Sequence, residues 1–473
     1  MRLRGRPGRR VSRFAVMLLA IVMALSSAAC GRRDNRTVVS VWSWEPSMVS
    51  LAEKFEKANP DIRIDLTETS GYDKLNSAIQ NGYGTPDVVQ LEYSVLPQYA
   101  VSGQLVDVTD RTRGMSGFFT PGTWSSVSIN DEVYALPLDS GPMAFFYNKS
   151  VFEAAGVDAT KIRTWDDYYR AAKKLKKIGV YIAADSGDAS FFTSMVWLAG
   201  GRPFRTSKDG RTVSISLTSD KGTRSFAAFW QKMIDDGLIA TNLTEWSDSW
   251  KKAVGEGTVA SIFSGAWLPS LLLSDVTGTS GLWRVTTMPT KDGSTTNSEE
   301  GGSALAILKS SRKPDAAYRF IAYVCHSSEG IDTRVASGSF PADVRTLSDP
   351  AFLNRTTILD SRGINVDYFG GQKFNKVFAQ AASDVSVGYQ YLPFEVYSRN
   401  DFASTVGKAY VWSTGKARFD DAVARLMAGG VKDGGGTVTV PEFPGQKVSL
   451  MDGVELWQQD LLEYGGNQGF TVE

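Results

Sequence analysis

The sequence predicts an α/β protein folded as two lobes, and three observations carry that reading. The chain has 473 residues, 42% hydrophobic and 22% charged. Those are ordinary globular proportions in a length greater than one hydrophobic core usually serves. Residues 37–68 read as strand, helix and strand, the βαβ unit that implies a parallel sheet. After a Gly141-Pro142 break the alternation of strand and helix patterns resumes, so a second set of elements follows the first.

The first 29 residues stand apart. Six arginines (Arg2, Arg4, Arg6, Arg9, Arg10, Arg13) precede twelve apolar residues, Phe14 to Leu25, and then Ser26-Ser27-Ala28-Ala29 before Cys30. A basic segment, a short apolar stretch and small residues at a cleavage point describe a secretory signal. The apolar stretch is too short to span a bilayer, which needs about 20 residues. "SSAACG" resembles a bacterial lipobox, with Ser27 where Leu is favoured. The resemblance implies cleavage before Cys30, acylation of Cys30 and a tether over 30–36 at the outer face of the cell membrane. The other cysteine, Cys325, is then left without a disulfide partner. Removing the leader turns a net charge of zero into 45 basic against 51 acidic residues. A mildly acidic body excludes an electrostatic footprint for nucleic acid.

"TVVSVW" is a β-branched run expected of a strand buried on both faces. Met48, Leu51, Ala52, Phe55 and Ala58 recur at helical spacing until Asn59-Pro60 closes the helix. "IRIDLTE" alternates as a strand, "YDKLNSAIQNG" reads as a helix, and "TPDVVQLEY" and "EVYALPLD" as two further strands. These complete a first lobe over 37–140. The aromatic extended run Phe145-Phe146-Tyr147 then opens a second lobe, 141–300, with crossings between the two. In "RTWDDYYRAAKKLKKIG", Thr164 and Asp167 form a capping box, Trp165, Tyr169, Ala172 and Leu175 an apolar face, and Gly179 a stop. Helices are expected at 220–236 and 248–255, and "GTVASIFSGAW" as a strand. "WRVTTMPT" and "GGSALAILK" read as return strands, with helices at 314–327 and 417–428 in the remainder, 301–473. Glycine-rich stretches at 432–436 and 464–469 read as exposed loops.

The sequence carries no positive sign of catalysis. One histidine, His326, sits beside Cys325 at a helix end, where a surface or core role is the ordinary one. No phosphate loop, dinucleotide fingerprint, zinc-helix or calcium-loop motif is present, and no cofactor is expected. What the chain offers instead is aromatics at strand ends: Trp42 and Trp44 before Pro46, Trp246 in "NLTEWSDSW", Trp267 before Pro269. Each competes with a plain packing role. A sugar ring has a flat C–H face and a rim of hydroxyls, so it asks for an aromatic plate with carboxylates or amides around it. Glu45, Gln90, Glu92 and Asp139 stand at C-terminal ends of predicted strands, where open α/β sheets bind ligands.

The ordered segments "VSVWSW", "TPDVVQLEYSVLPQYAVSGQLVDVTD", "VYALPLDSGPMAFFYNKSVFEAAGV", "TWDDYYRAAKKLKK", "GTVASIFSGAW", "EEGGSALAILKSSRKPDAAYRFIAYV" and "YFGGQKFNKVFAQAA" together resemble the extracellular solute-binding proteins of carbohydrate ABC importers. This is the maltose-binding-like family, particularly its actinobacterial lipoproteins. The resemblance implies a two-lobed periplasmic-binding-protein-like fold with hinge-crossing strands near 139–147 and 264–305. It implies a monomer that takes a sugar or oligosaccharide in the interlobe cleft and delivers it unaltered to ABC importer permease subunits. By motif position the ligand-binding residues would be Trp42, Glu45, Gln90, Glu92, Asp139, Trp246, Trp267, Gly302 and Phe369. Of Trp42 and Trp44, one faces the cleft and the other packs inside. The competing readings are a secreted carbohydrate-active hydrolase, and the same fold carrying a non-sugar solute such as a polyamine.

Overall fold

The computed structural model describes residues 34–69, 71–427 and 439–473. The leader, Cys30 and the 432–436 loop therefore lie outside the described residues. The chain opens with β1 (Thr37–Ser43), α1 (Met48–Ala58), β2 (Ile62–Glu68), α2 (Asp73–Asn81), β3 (Val88–Glu92) and β4 (Ala135–Pro137). It continues through β5 (Met143–Asn148), α3 (Trp165–Lys177), α4 (Ala189–Leu198), α5 (Lys221–Asp235), α6 (Asp248–Gly255), β6 (Ser261–Gly265), α7 (Leu268–Asp275) and β7 (Trp283–Thr286). The return consists of β8 (Ser303–Ile307), α8 (Pro314–His326), α9 (Ser328–Ala336), α10 (Phe374–Ser383), α11 (Glu395–Phe402), α12 (Gly407–Met427) and α13 (Leu450–Asn467).

One sheet builds the first lobe in the order β2-β1-β3-β8-β4. β1 runs parallel to β2 and β3, as the βαβ pattern requires, while β8 returns antiparallel between β3 and β4. Its core joins Val39, Val41, Leu51, Phe55, Leu91, Leu305, Phe320 and Ile321, all 0 or 1% exposed. The second lobe is laid on a three-stranded sheet, β6-β5-β7, antiparallel throughout. Alternation along β5 feeds two separate cores: Phe145 and Tyr147 pack with α3, α4 and α5, and Ala144 and Phe146 pack with α6, α7 and α10. A strand with helices on both faces has no polar side, which is why "MAFFYN" is apolar almost throughout.

Several local expectations are refined. The capping box of α3 is present, but Tyr168 rather than Tyr169 is its buried tyrosine, at 0% exposure. "EVYALPLD" is broken: Glu132–Val133 pairs with Ser128–Ile129 across Asn130 and Asp131, both at positive φ, and only Ala135–Pro137 joins the main sheet. Of the expected loop at 464–469 only the exposed turn at 468–469 is present, because residues 464–467 belong to α13. Gly465 lies inside α13, where a Cβ would stand 2.8 Å from Val472 Cγ1 and 3.1 Å from Phe394 Cζ. That glycine allows close packing instead of flexibility. α12 starts ten residues before the expected 417. His326 ends α8 with its ring 4.2 Å from Phe118, and burial lowers its pKa.

Candidate functional site

Between the lobes lies a cavity of about 540 Å³, within the range of small-molecule sites. The first lobe contributes Trp44, Glu45, Glu92 and Asp139, the second Asp188, Glu245, Trp246, Trp267 and Ser270. Two chain crossings form its floor. At Gly141 a Cβ would collide with the Glu300 carbonyl, so Asp139–Pro142 and Glu299–Gly302 pass backbone against backbone. Gly301 and Gly302 are both left-handed, with φ of 76° and 83°, and a Cβ on Gly302 would stand 2.7 Å from Tyr93 Cε2. Only glycine takes that pair of conformations at no steric cost. The "EEGG" of the sequence is thus a built crossing point.

The opening turn is held from below. Gln90 Oε1 accepts from Ser43 Oγ (2.6 Å) and from the backbone N–H groups of Trp44 (3.0 Å) and Glu45 (3.1 Å). Its amide nitrogen donates to Ser303 Oγ at 2.9 Å. Gln90 is 1% exposed and does not line the cavity, so it shapes the turn and the ligand-facing role expected of it is corrected. Trp42 is likewise absent from the cavity: it packs in the first-lobe core under the Lys74 ammonium, 4.4 Å from its ring. Trp44 is the indole of that pair that reaches the cleft. The reason is where the strand stops: residues two apart share a strand face, but β1 ends at Ser43, so Trp42 is packed within the sheet while Trp44 lies past its end in the turn that Gln90 holds. Phe369 is also removed from the site. It is fully buried among Phe146, Tyr368 and Phe374 in the second lobe.

Both second-lobe indoles are held by neighbours. Trp267 donates its indole N–H to the Glu300 carbonyl at 2.7 Å, tying the ring to the crossing. Trp246 stands 5.9 Å from Trp267 and 4.8 Å from buried Trp250, centroid to centroid. Its backbone is at φ 67°, a conformation that costs a bulky residue about 1–3 kcal/mol and persists only where surroundings impose it.

A match to the bacterial extracellular solute-binding proteins extends over residues 42–325, more than half of the chain. The chain belongs to this family. Among solved structures, this solute-binding protein is similar to an ABC transporter associated binding protein from B. animalis subsp. lactis Bl-04, solved in complex with beta-1,6-galactobiose. The two are 46% identical with a TM-score of 0.77, over 93% of this chain and 100% of that one. It is also 25% identical to an arabinooligosaccharide-binding protein of Bacillus subtilis (strain 168) over 332 residues, 67% of this chain and 75% of that one. A lactose-binding protein of Rhizobium radiobacter is 26% identical over 322 residues, 64% of this chain and 74% of that one.

Carboxylates dominate the polar rim of this solute-binding protein. Asp139 Oδ1 accepts from Ser303 N (2.5 Å) and Ser303 Oγ (2.8 Å); burial, with Glu45 nearby, pushes its pKa up to about 6. Glu45 Oε1 accepts from Ser47 N–H and Oγ, and Oε2 from Ser339 Oγ at 2.6 Å. Glu92 is engaged across the lobes by Arg399 of α11, 2.8 Å away, whose other nitrogen donates to Ser94 Oγ. Glu245 and Glu300 are pushed upward by burial, and Glu300 adds its charge to the shift at Glu245. Both shifts favour the protonated carboxyl, which would offer a donor among acceptors. Asp188, Glu245, Glu300 and Arg399 were missed in the sequence. Glu245 and Glu300 had a signal, one beside Trp246 and one beside Gly301-Gly302; Arg399 sits on an ordinary polar helix and had none. Among the described residues no group of three His, Cys, Asp or Glu is placed to hold a metal, and no helix is long and apolar enough to cross a membrane.

Proposed function

We propose that this chain captures an oligosaccharide in the interlobe cleft and hands it, chemically unchanged, to the permease of an ABC importer. One observation carries the reading. Indoles anchored on one lobe face carboxylates of the other across a crossing point, in a chain 46% identical to a protein solved with beta-1,6-galactobiose. Trp246, Trp267 and Trp44 supply flat faces with little rotamer entropy to lose, and Asp139, Glu245 and Glu300 read the hydroxyl rim. An unpaired buried donor or acceptor costs about 1–3 kcal/mol, which is how such a rim selects stereochemistry. A ligand touching both lobes favours the closed state by its differential affinity for the two states, with rotation about the crossings. Acylated Cys30 would hold the body at the outer membrane face, and the intact mass of the mature protein would read that acyl group directly.

β-1,6-Galactobiose is the first ligand to titrate. At about 100 times its dissociation constant it should stabilise the fold by about 2.7 kcal/mol, and the sugar should be recovered intact. Shortened products would move the protein to the hydrolases. No stabilisation by this or any other oligosaccharide, with a response to polyamines, would replace the cargo.

A further inference from the structure

The cleft adjoins two smaller cavities, and they differ. At one end it shares Asp188, Glu245 and Trp246 with a cavity of about 180 Å³. The other walls of that cavity include Trp230, Trp250 and Phe263, all buried. At the other end it shares Ser270, Gly338, Ser339 and Phe340 with a cavity of about 240 Å³. This second cavity reaches the surface at Arg355, Leu359 and Asn365, which are exposed. Core side chains thus back the first cavity, with exposed Asp188 and Thr244 at its edge, whereas the second is bordered by exposed residues that the cleft does not share.

The lip between the cleft and the open cavity is thin. Gly338, at φ 100°, presents bare backbone to α7, and a Cβ there would stand 2.9 Å from Ser270 Oγ. Beyond the lip the cavity has Phe352, Phe374 and Phe378 beneath it and no carboxylate in its walls. Arg355 lies over the Phe352 ring at 5.7 Å and, among the described residues, makes one long hydrogen bond, 3.5 Å, to the Val335 carbonyl. Its remaining guanidinium N–H groups and the amide nitrogen of Asn365, whose oxygen accepts from Thr357 Oγ1 at 3.2 Å, form a donor edge above an apolar floor. That combination suits another polyol ring, and it complements a main cleft whose rim is mostly acceptors.

We infer that the ligand is an oligosaccharide bound end-on, its terminal unit toward Glu245 and Trp246 and a third unit carried over the Gly338–Ser270 lip to lie beside Arg355. The inference rests on the sugar-binding reading and adds to it a direction and a preferred length.

Calorimetric titration with β-1,6-linked galactobiose, galactotriose and galactotetraose tests it. Galactotriose should bind about fivefold tighter than galactobiose, the increment of one or two added hydrogen bonds. Galactotetraose should gain little more. Arg355→Ala, which removes the donors, and Thr357→Trp, which fills the cavity, should each abolish that increment while galactobiose affinity and melting temperature stay at the parent values. Galactobiose and galactotriose binding equally, or both variants weakening the two sugars in proportion, would overturn the inference and leave sugar binding intact. Failure of every sugar to bind would overturn the sugar reading and this extension with it.

Discussion

Trp267→Ala weakens sugar binding at least tenfold, the loss of about 1.4 kcal/mol or more expected of a central aromatic plate. The indole is both a flat surface of the cleft and a strut, because its N–H holds the Glu300 carbonyl at 2.7 Å on the crossing. Removing it takes the plate from the sugar and leaves that carbonyl to find another donor. The melting temperature should fall only modestly, as one hydrogen bond of about 1 kcal/mol is lost from a ring that is half-buried. Trp267→Phe separates the two roles. It keeps a smaller plate without the N–H, so its affinity should lie between those of wild type and the alanine variant. Titration of all three proteins with the same sugar checks this, and equal affinities would remove Trp267 from the site.

Glu299 should make stability fall as pH rises through the neutral range. Its carboxyl is 1% exposed at the crossing; Oε1 accepts from Ser140 Oγ at 2.8 Å, and Oε2 has no partner among the described residues. Burial pushes its pKa from 4.5 up to about 8, opposed by the Ser140 bond and reinforced by Asp139. The folded protein then holds a proton that the unfolded chain releases. Stability attributable to this group is greatest below the unfolded value and declines until the folded value is reached, because the folded state binds more protons across that window. Glu299→Gln keeps the shape and cannot ionise. Relative to wild type it should therefore gain stability steadily between about pH 5 and pH 8 in chemical denaturation. A difference that stays constant with pH would show that Glu299 does not titrate as described.

The large features were legible because they follow from periodicity. The βαβ start, the capping box at Thr164 and the apolar strand "MAFFYN" each impose a local pattern that tertiary packing had only to accept. The cleft was half legible. Glu45, Glu92, Asp139, Trp246, Trp267 and Gly302 all line it, and each carried a position at a strand end, crossing or loop. Trp42 and Trp44 could not be told apart, since residues two apart share a strand face and only the end of β1 at Ser43 separates the packed indole from the one in the turn. Gln90 was placed at the right strand and the wrong depth: a polar residue at a strand end reads the same whether it meets a ligand or ties down a turn. Arg399 arrives from residue 399 to pair with Glu92, a contact no local pattern encodes. Phe369 follows from motif position alone, and its ring is core.

A crystal structure of the complex with β-1,6-galactobiose examines the central claim most directly. The account requires density for an uncleaved sugar in the cleft, one ring face against Trp267 or Trp246 and hydroxyls within hydrogen-bond reach of Asp139, Glu245 or Glu300. A bound sugar lodged elsewhere, with those indoles and carboxylates untouched, would contradict it.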